Sequence, residues 1–229
     1  MKCSFSYLEI GYWKFIPMNI IISFAILIFS AIVHEVSHGV MAEQLGDSTA
    51  RDQGRITLNP IPHIDPYGTL LLPLFLFYIT GGRFWFGAAK PVPVDFGRLH
   101  PRKLGMALVA FAGPLSNFLL AILFVIPIKL GLVNSVSYPI LLIAIYINLL
   151  LGTFNLIPIP PLDGSKIVLA AAPDSWMYKI LSMERFGFVL VLLFVFSGLF
   201  GFILDPVIGT FWSVFHLSIP DLYRVLLGS

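Results

Sequence analysis

A single cysteine, Cys3, stands among 229 residues, so no internal disulfide can form and no zinc cluster can be built on thiolates. Any metal site must use histidine and carboxylate. Charge is also scarce: Asp, Glu, Lys and Arg make up 11% of the chain, the net charge is +2, and the basic residues are scattered. That leaves no electrostatic footprint for nucleic acid. What fills the chain is apolar residue, 58% of the total, more than one soluble core could hide. The composition predicts an all-α polytopic integral membrane protein, with the lipid bilayer as its first partner. No small-residue cleavage site precedes the first long apolar run, so the N-terminal segment 1–17, with Lys2 and Lys14, is expected to be retained at the interface.

About four full transmembrane helices are expected. The first covers roughly Met18 to Leu45. Asp47 to Tyr67 then turns polar, with β-prone Arg55-Ile56-Thr57-Leu58 ahead of prolyl turns at Asn59 to Pro66, which predicts a small strand and turn region. Gly68 to Gly82 is apolar but short, about 22 Å as helix against a core of roughly 30 Å, and Pro73 interrupts it; it reads as re-entrant. A basic loop, Arg83 to Lys103, carries interfacial Phe84, Trp85 and Phe86. Leu104 to Leu130 and Tyr138 to Ile157 are the next spans. Asn117 on the former reads as an interhelix packing group. The last span, about Phe186 to Leu204, is expected to end at Asp205-Pro206, with a C-terminal interfacial helix after it bearing Phe211, Trp212 and Tyr223. The whole chain, 1–229, is one membrane-embedded domain: the N-terminal segment, a core over 18–172, and a C-terminal span and tail over 173–229. His100 and His216 stand alone and are assigned no function.

The first span contains His34-Glu35-Val36-Ser37-His38. On a helix, i and i+4 share a face, so both imidazoles can meet one metal with Glu35 beside it. Ionisable residues near the middle of a spanning helix cost roughly 2.5–3.5 kcal/mol each, so three together require a reason. A catalytic zinc takes three protein ligands and keeps one position open. Glu43 points elsewhere, about 140° round the helix from His38. Met41 and Gln44 stand where a metzincin would have Gly and His. Asp47, Asp52, His63 and Asp65 lie in the polar segment outside the span, where turn and surface roles suffice. Asp163 remains: Pro158, Pro160 and Pro161 break an apolar span where this carboxylate appears, and a lone carboxylate there needs a partner. The metal set is His34, His38 and Asp163, holding one Zn2+ per chain.

With HEVSH at 34–38, GRITLNPIPHIDPYGTLLLP at 54–73, AKPVPV at 89–94, AGPLSN at 112–117 and FNLIPIPPLDG at 154–164, the chain resembles the site-2-protease-type intramembrane zinc metalloproteases over almost its whole length. The resemblance is to their compact prokaryotic branch, without PDZ or CBS domain. It implies zinc binding by His34, His38 and Asp163, acid/base work by Glu35, and substrate contact at Asn155. The expected function is zinc endopeptidase, hydrolysing bonds within or near transmembrane segments of single-span or signal-anchor proteins. Arg55, Ile56, Thr57 and Leu58 are expected to offer a strand edge to the unwound substrate. Two other readings use the same residues. An ion transporter would share the ligands and the broken helix, but no repeat pairs the two halves, and ion transit does not need Glu35. A non-catalytic helix-binding scaffold would be expected to lack one of the four residues, and all are present.

Closing this site puts the end of the first span, the start of the Leu104 span and the end of the Tyr138 span on one side. That side then collects Arg51, Arg55, Arg83, Lys90, Arg98, Arg102, Lys103, Lys166, Lys179 and Arg185, against Lys2, Lys14, Lys129 and Arg224 on the other. By the positive-inside rule the zinc of this cell-membrane protein lies nearer the cytoplasmic face.

Overall fold

The computed structural model describes residues 17–71, 75, 78, 90–173, 175–176, 183–218, 220–222 and 225. Its helices are α1 (Pro17–Gln44), the short α2 (Thr49–Asp52), α3 (Arg102–Lys129), α4 (Ser137–Asn155), α5 (Asp163–Ala171), α6 (Gly187–Phe196) and α7 (Leu199–Val214), and no strand occurs among the described residues. Among the described residues, three stretches are long and apolar enough to cross a membrane: Ile21–Gln44, Arg102–Lys129 and Ser137–Asn155. A fourth forms if α6 and α7, bent by 69° at their junction, are taken as one span.

α3 is the centre of the bundle, packed against α1, α4 and α5. Its two faces show why. Gly105, Val109, Ala112, Gly113, Asn117, Ala121 and Val125 are buried, whereas Leu108, Phe111, Leu115, Leu119, Ile122 and Ile126 are exposed. Both sets recur at three- and four-residue spacing, so small and polar residues face protein while large apolar ones face outward, as expected of a helix in lipid. The small inward residues let α1 and α4 approach closely.

α4 stops at Asn155, and the proline-containing turn brings the chain back as α5, starting at Asp163. A Cβ on Gly164 would stand 2.2 Å from Leu156 O, so the start of α5 can sit against the end of α4 only with glycine there. Val191, Phe194, Val195 and Phe200 from the α6–α7 arm cover this break by packing on Phe154, Ile157 and Leu162.

Two expectations change. Residues 56–58 run as bends rather than as a strand. A strand needs a neighbour for its alternating N–H and C=O groups, and here turns take them: Arg55 N–H goes to Ala50 O at 2.8 Å, and Thr57 O accepts from His63 Nε2 at 2.9 Å. The last span, expected to end at Asp205-Pro206, breaks instead at Gly198, whose φ of +77° starts α7, and Pro206 lies within α7. One missing N–H is tolerated inside an apolar helix, whereas a left-handed residue redirects the chain. The re-entrant segment expected over Gly68 to Gly82 lies outside the described residues beyond Leu71, apart from Phe75 and Tyr78. Residues 1–16 and most of those after Ser218 also lie outside them.

Candidate metal centre

α1 places His34 and His38 one turn apart with their rings edge to face, centroids 4.7 Å apart. α5 brings in Asp163 as its first residue, and all three are buried. His34 Nε2 lies 3.1 Å from Asp163 Oδ2, His38 Nε2 lies 3.2 Å from the same oxygen, and the two Nε2 atoms are 3.1 Å apart.

These three short contacts are not ordinary hydrogen bonds. His34 Nδ1 donates to Asn117 Oδ1 at 2.6 Å, and His38 Nδ1 donates to Val109 O at 2.6 Å. A neutral imidazole with its proton on Nδ1 presents a bare lone pair at Nε2. Two nitrogen lone pairs and a carboxylate oxygen therefore converge on one point, an arrangement that only a cation makes favourable. Tetrahedral zinc with bonds of about 2.0–2.1 Å holds its ligand atoms about 3.3 Å apart, close to what is seen.

The floor under these atoms is Gly113 of α3. A Cβ there would lie 2.5 Å from His38 Nε2 and 2.6 Å from His34 Nε2, closer than real contacts allow. Both Nε2 atoms can thus lie this close to α3 only because residue 113 has no side chain.

A chain of buried amides fixes the His34 tautomer. Asn117 Nδ2 donates to Asn148 Oδ1 at 3.0 Å and to Ser30 O at 3.4 Å, so its Oδ1 is the atom turned to His34. Asn148 is oriented in turn, donating to Ser30 Oγ at 2.9 Å and Ala144 O at 2.9 Å. Such partners orient a metal-binding ring and raise its basicity. Asp163 is held likewise, its Oδ1 accepting from Lys166 Nζ at 3.3 Å while Oδ2 faces the histidines.

Glu35 is half-buried beside the ligands, and its Oε2 accepts the Val92 N–H at 2.7 Å. Val92 belongs to an extended strap over residues 90–95 that lies across α1. Asp47 anchors the far end: its Oδ2 accepts the Asp95 N–H at 2.7 Å, and its Oδ1 accepts from Thr49. Burial pushes the Asp47 carboxyl up, but the bonds from Thr49 and Asp95, aided by the charge of Arg98, outweigh it and hold this group below the usual carboxylate range.

The other candidates fall as follows. Asn155, half-buried at the end of α4, donates Nδ2 to Leu151 O of its own helix at 3.0 Å. Arg55 is buried against the strap, Ile56 packs near Gly39 and Val92, Thr57 Oγ1 accepts the Asn59 N–H at 3.2 Å, and Leu58 is exposed. Glu43 pairs with Arg51, Asp52 accepts from Ser48 Oγ at 2.7 Å, Asp65 caps the Gly68 N–H, and His63 bonds Thr57 O, all away from the ligand cluster. Sequence reasoning took Asn117 for a packing residue and did not single out Gly113, Asn148 or Val92. For Asn117 a signal existed, since a buried amide at mid-span has few partners other than the histidines of the facing helix.

Comparison with known proteins points the same way. Residues 128–198, which include Asp163 but not the two histidines, match the family model described as "Peptidase family M50". The chain is 34% identical over 214 residues to "Putative zinc metalloprotease YwhC" of Bacillus subtilis, a match that covers 90% of each protein. It is 32% identical over 184 residues to "Putative zinc metalloprotease MJ0611" of Methanocaldococcus jannaschii, covering 80% of this chain and 86% of that one. "Putative zinc metalloprotease Rip2" of Mycolicibacterium smegmatis is 26% identical over 171 residues, covering 72% and 62%. No solved structure matches.

Proposed function

The chain belongs to peptidase family M50, and from that premise we propose that it is a zinc endopeptidase that cuts membrane proteins within or beside their spanning segments. The observation that carries this reading is the convergence of His34 Nε2, His38 Nε2 and Asp163 Oδ2, each 3.1–3.2 Å from the others, with Glu35 next in sequence to the first ligand.

His34, His38 and Asp163 would hold the zinc. When bound, zinc acts as a Lewis acid on a carbonyl and acidifies a water molecule. The protein's own work is proton handling and placement. The Glu35 carboxylate takes a proton from the attacking water and delivers it to the leaving amine nitrogen, so the peptide C–N bond breaks as the C–O bond forms. Asn155, with one of its amide N–H groups directed at Leu151 O, has a second that can bond the substrate backbone. Exposed Leu58, with Ile56 and Thr57 beside it, offers an apolar contact at the same end of α1. The substrate is a single-span or signal-anchor segment that unwinds locally, because an intact helix hides its carbonyls.

Purified protein should cleave a model transmembrane segment in liposomes, lose activity to a chelator and regain it with zinc. Asp163→Ala should reduce zinc content from one per chain to a small fraction and abolish cleavage, while Glu43→Ala and Asp65→Ala keep both within about twofold. Zinc loss in Asp65→Ala but not in Asp163→Ala would overturn the ligand set.

The ligand cluster requires the C-terminal end of α1, the N-terminal end of α3 and the C-terminal end of α4 to share a side. We assign that side to the cytoplasm of a cell membrane, because Arg51, Arg55, Arg98, Arg102, Lys103 and Lys166 adjoin those helix ends, against Lys129 at the other end of α3. The check is labelling of single cysteines, in a Cys3→Ser background, by a membrane-impermeant reagent on intact cells. Ser135→Cys should label, and Ser48→Cys and Arg98→Cys should label only after the membrane is opened. Labelling of Arg98→Cys on intact cells would reverse the assignment.

A further inference from the structure

Arg55 is a buried guanidinium that has no carboxylate partner among the described residues, and its Nε is a buried donor without an acceptor there. A buried charge in that state is costly unless something nearby compensates it. Among the described residues its acceptors are backbone oxygens: Nη2 donates to Lys90 O at 2.8 Å and to Pro91 O at 3.3 Å. Pro91 O belongs to the same peptide group as the Val92 N–H, which donates to Glu35 Oε2 at 2.7 Å. One peptide unit therefore lies between a guanidinium and a carboxylate, with the cation at its oxygen and the anion at its N–H.

The two contacts reinforce each other. A cation at the carbonyl oxygen draws electron density from the amide nitrogen and makes the N–H a stronger donor, and the anion at the N–H does the converse. The surroundings suit this arrangement. Pro91 and Pro93 have no amide hydrogen, so Val92 has no competing donor on either side. Gly39, one turn beyond Glu35, leaves room for the strap: a Cβ there would already be 3.1 Å from Val92 Cγ1 and 3.3 Å from Ile56 Cγ1. The strap is tied on both sides of this peptide, by Lys90 N–H to His63 O at 2.9 Å and by Asp95 N–H to Asp47 Oδ2.

We propose that Arg55 is a positioning residue for the reaction, holding and polarising the Pro91–Val92 peptide so that the Val92 N–H fixes the Glu35 carboxylate. This replaces the substrate contact expected for Arg55 from sequence. It rests on Glu35 being the proton carrier, as proposed above. Misplacing a catalytic group by about 1 Å costs up to about a hundredfold in rate, and a general base contributes roughly a hundred- to ten-thousandfold, so losing the constraint should cost tenfold or more.

The test compares Arg55→Met, Arg55→Lys and Val92→Pro in the purified, zinc-loaded full chain, with Glu35→Gln alongside. Arg55→Met should lower kcat about tenfold or more, with KM within about twofold and one zinc per chain retained. Arg55→Lys, which keeps a cationic donor within reach of the same carbonyls, should recover part of that loss. Val92→Pro removes the N–H at the other end of the same peptide and should lower kcat in the same way; it decides the matter if Arg55→Met does not fold. A raised KM at unchanged kcat in Arg55→Met would return Arg55 to substrate contact and overturn the proposal, as would unchanged kcat in Val92→Pro. If Glu35→Gln is inactive while Arg55→Met turns over normally, only this inference fails. If Glu35→Gln itself turns over normally, the proton-carrier assignment fails first.

Discussion

Glu35→Gln is expected to retain one zinc per chain and to lose peptide hydrolysis by two to four orders of magnitude. The reason lies in which atoms the substitution changes. The three ligand atoms, the Asn117 and Val109 acceptors behind the histidines, and Lys166 behind Asp163 are untouched, so the affinity for metal should stay within a few-fold. Glutamine keeps a carbonyl oxygen that can still accept the Val92 N–H, so the strap should stay in place as well. What disappears is the ability to accept a proton from water and return it to the leaving nitrogen, a function worth roughly a hundred- to ten-thousandfold. Zinc content and cleavage of a model transmembrane segment, measured on the same purified sample, check both halves. Loss of zinc together with activity would make Glu35 part of the metal site, and full activity would remove it from the mechanism.

The trio that the structure brings together, His34, His38 and Asp163, was legible in the sequence because each residue breaks a strong rule. Two histidines in an otherwise apolar run, and a carboxylate after a run of prolines, are exceptions whose cost demands a partner. The three long spans were legible for the opposite reason, since uninterrupted apolar length is itself the signal. Elements whose form depends on neighbours were not. Arg55 to Leu58 include strand-forming side chains, but among the described residues no adjacent backbone completes a ladder, and Ala50 O and the His63 ring take the Arg55 N–H and the Thr57 carbonyl instead. The last helical arm was misread because Asp205-Pro206 carries the stronger local signal, whereas the turn is made by Gly198, one glycine among 19.

The supporting residues of the site were hidden for a related reason. Asn117, Asn148 and Ser30 come from α3, α4 and α1, and their meaning emerges only when those helices are side by side. Val92 is harder still, because what it contributes is a backbone N–H and its side chain gives no hint. The strap can be read in retrospect from its alternating prolines, which favour an extended chain and leave few amide hydrogens.

Gly113→Ala should abolish zinc binding without touching a ligand. Within a helix the change is favourable by about 1 kcal/mol in intrinsic propensity, so α3 should be no less stable for it. The added methyl, however, would sit 2.5–2.6 Å from both Nε2 atoms, well inside ordinary contact distance. The rings cannot easily retreat: His34 is tied to Asn117 and His38 to Val109 O, each at 2.6 Å, and withdrawing either ring would leave a buried polar group without its partner. The methyl must therefore displace a ring or part α1 from α3, at an overpacking cost of about 1–3 kcal/mol that offsets the gain in helix propensity. Either shift spoils the ligand geometry, so the protein should carry little zinc and lose most cleavage. Metal analysis beside a thermal melt of the metal-free forms checks both effects, with the zinc lost and the melting temperature unchanged or lowered. Full zinc occupancy in Gly113→Ala would place the ion elsewhere than between His34, His38 and Asp163.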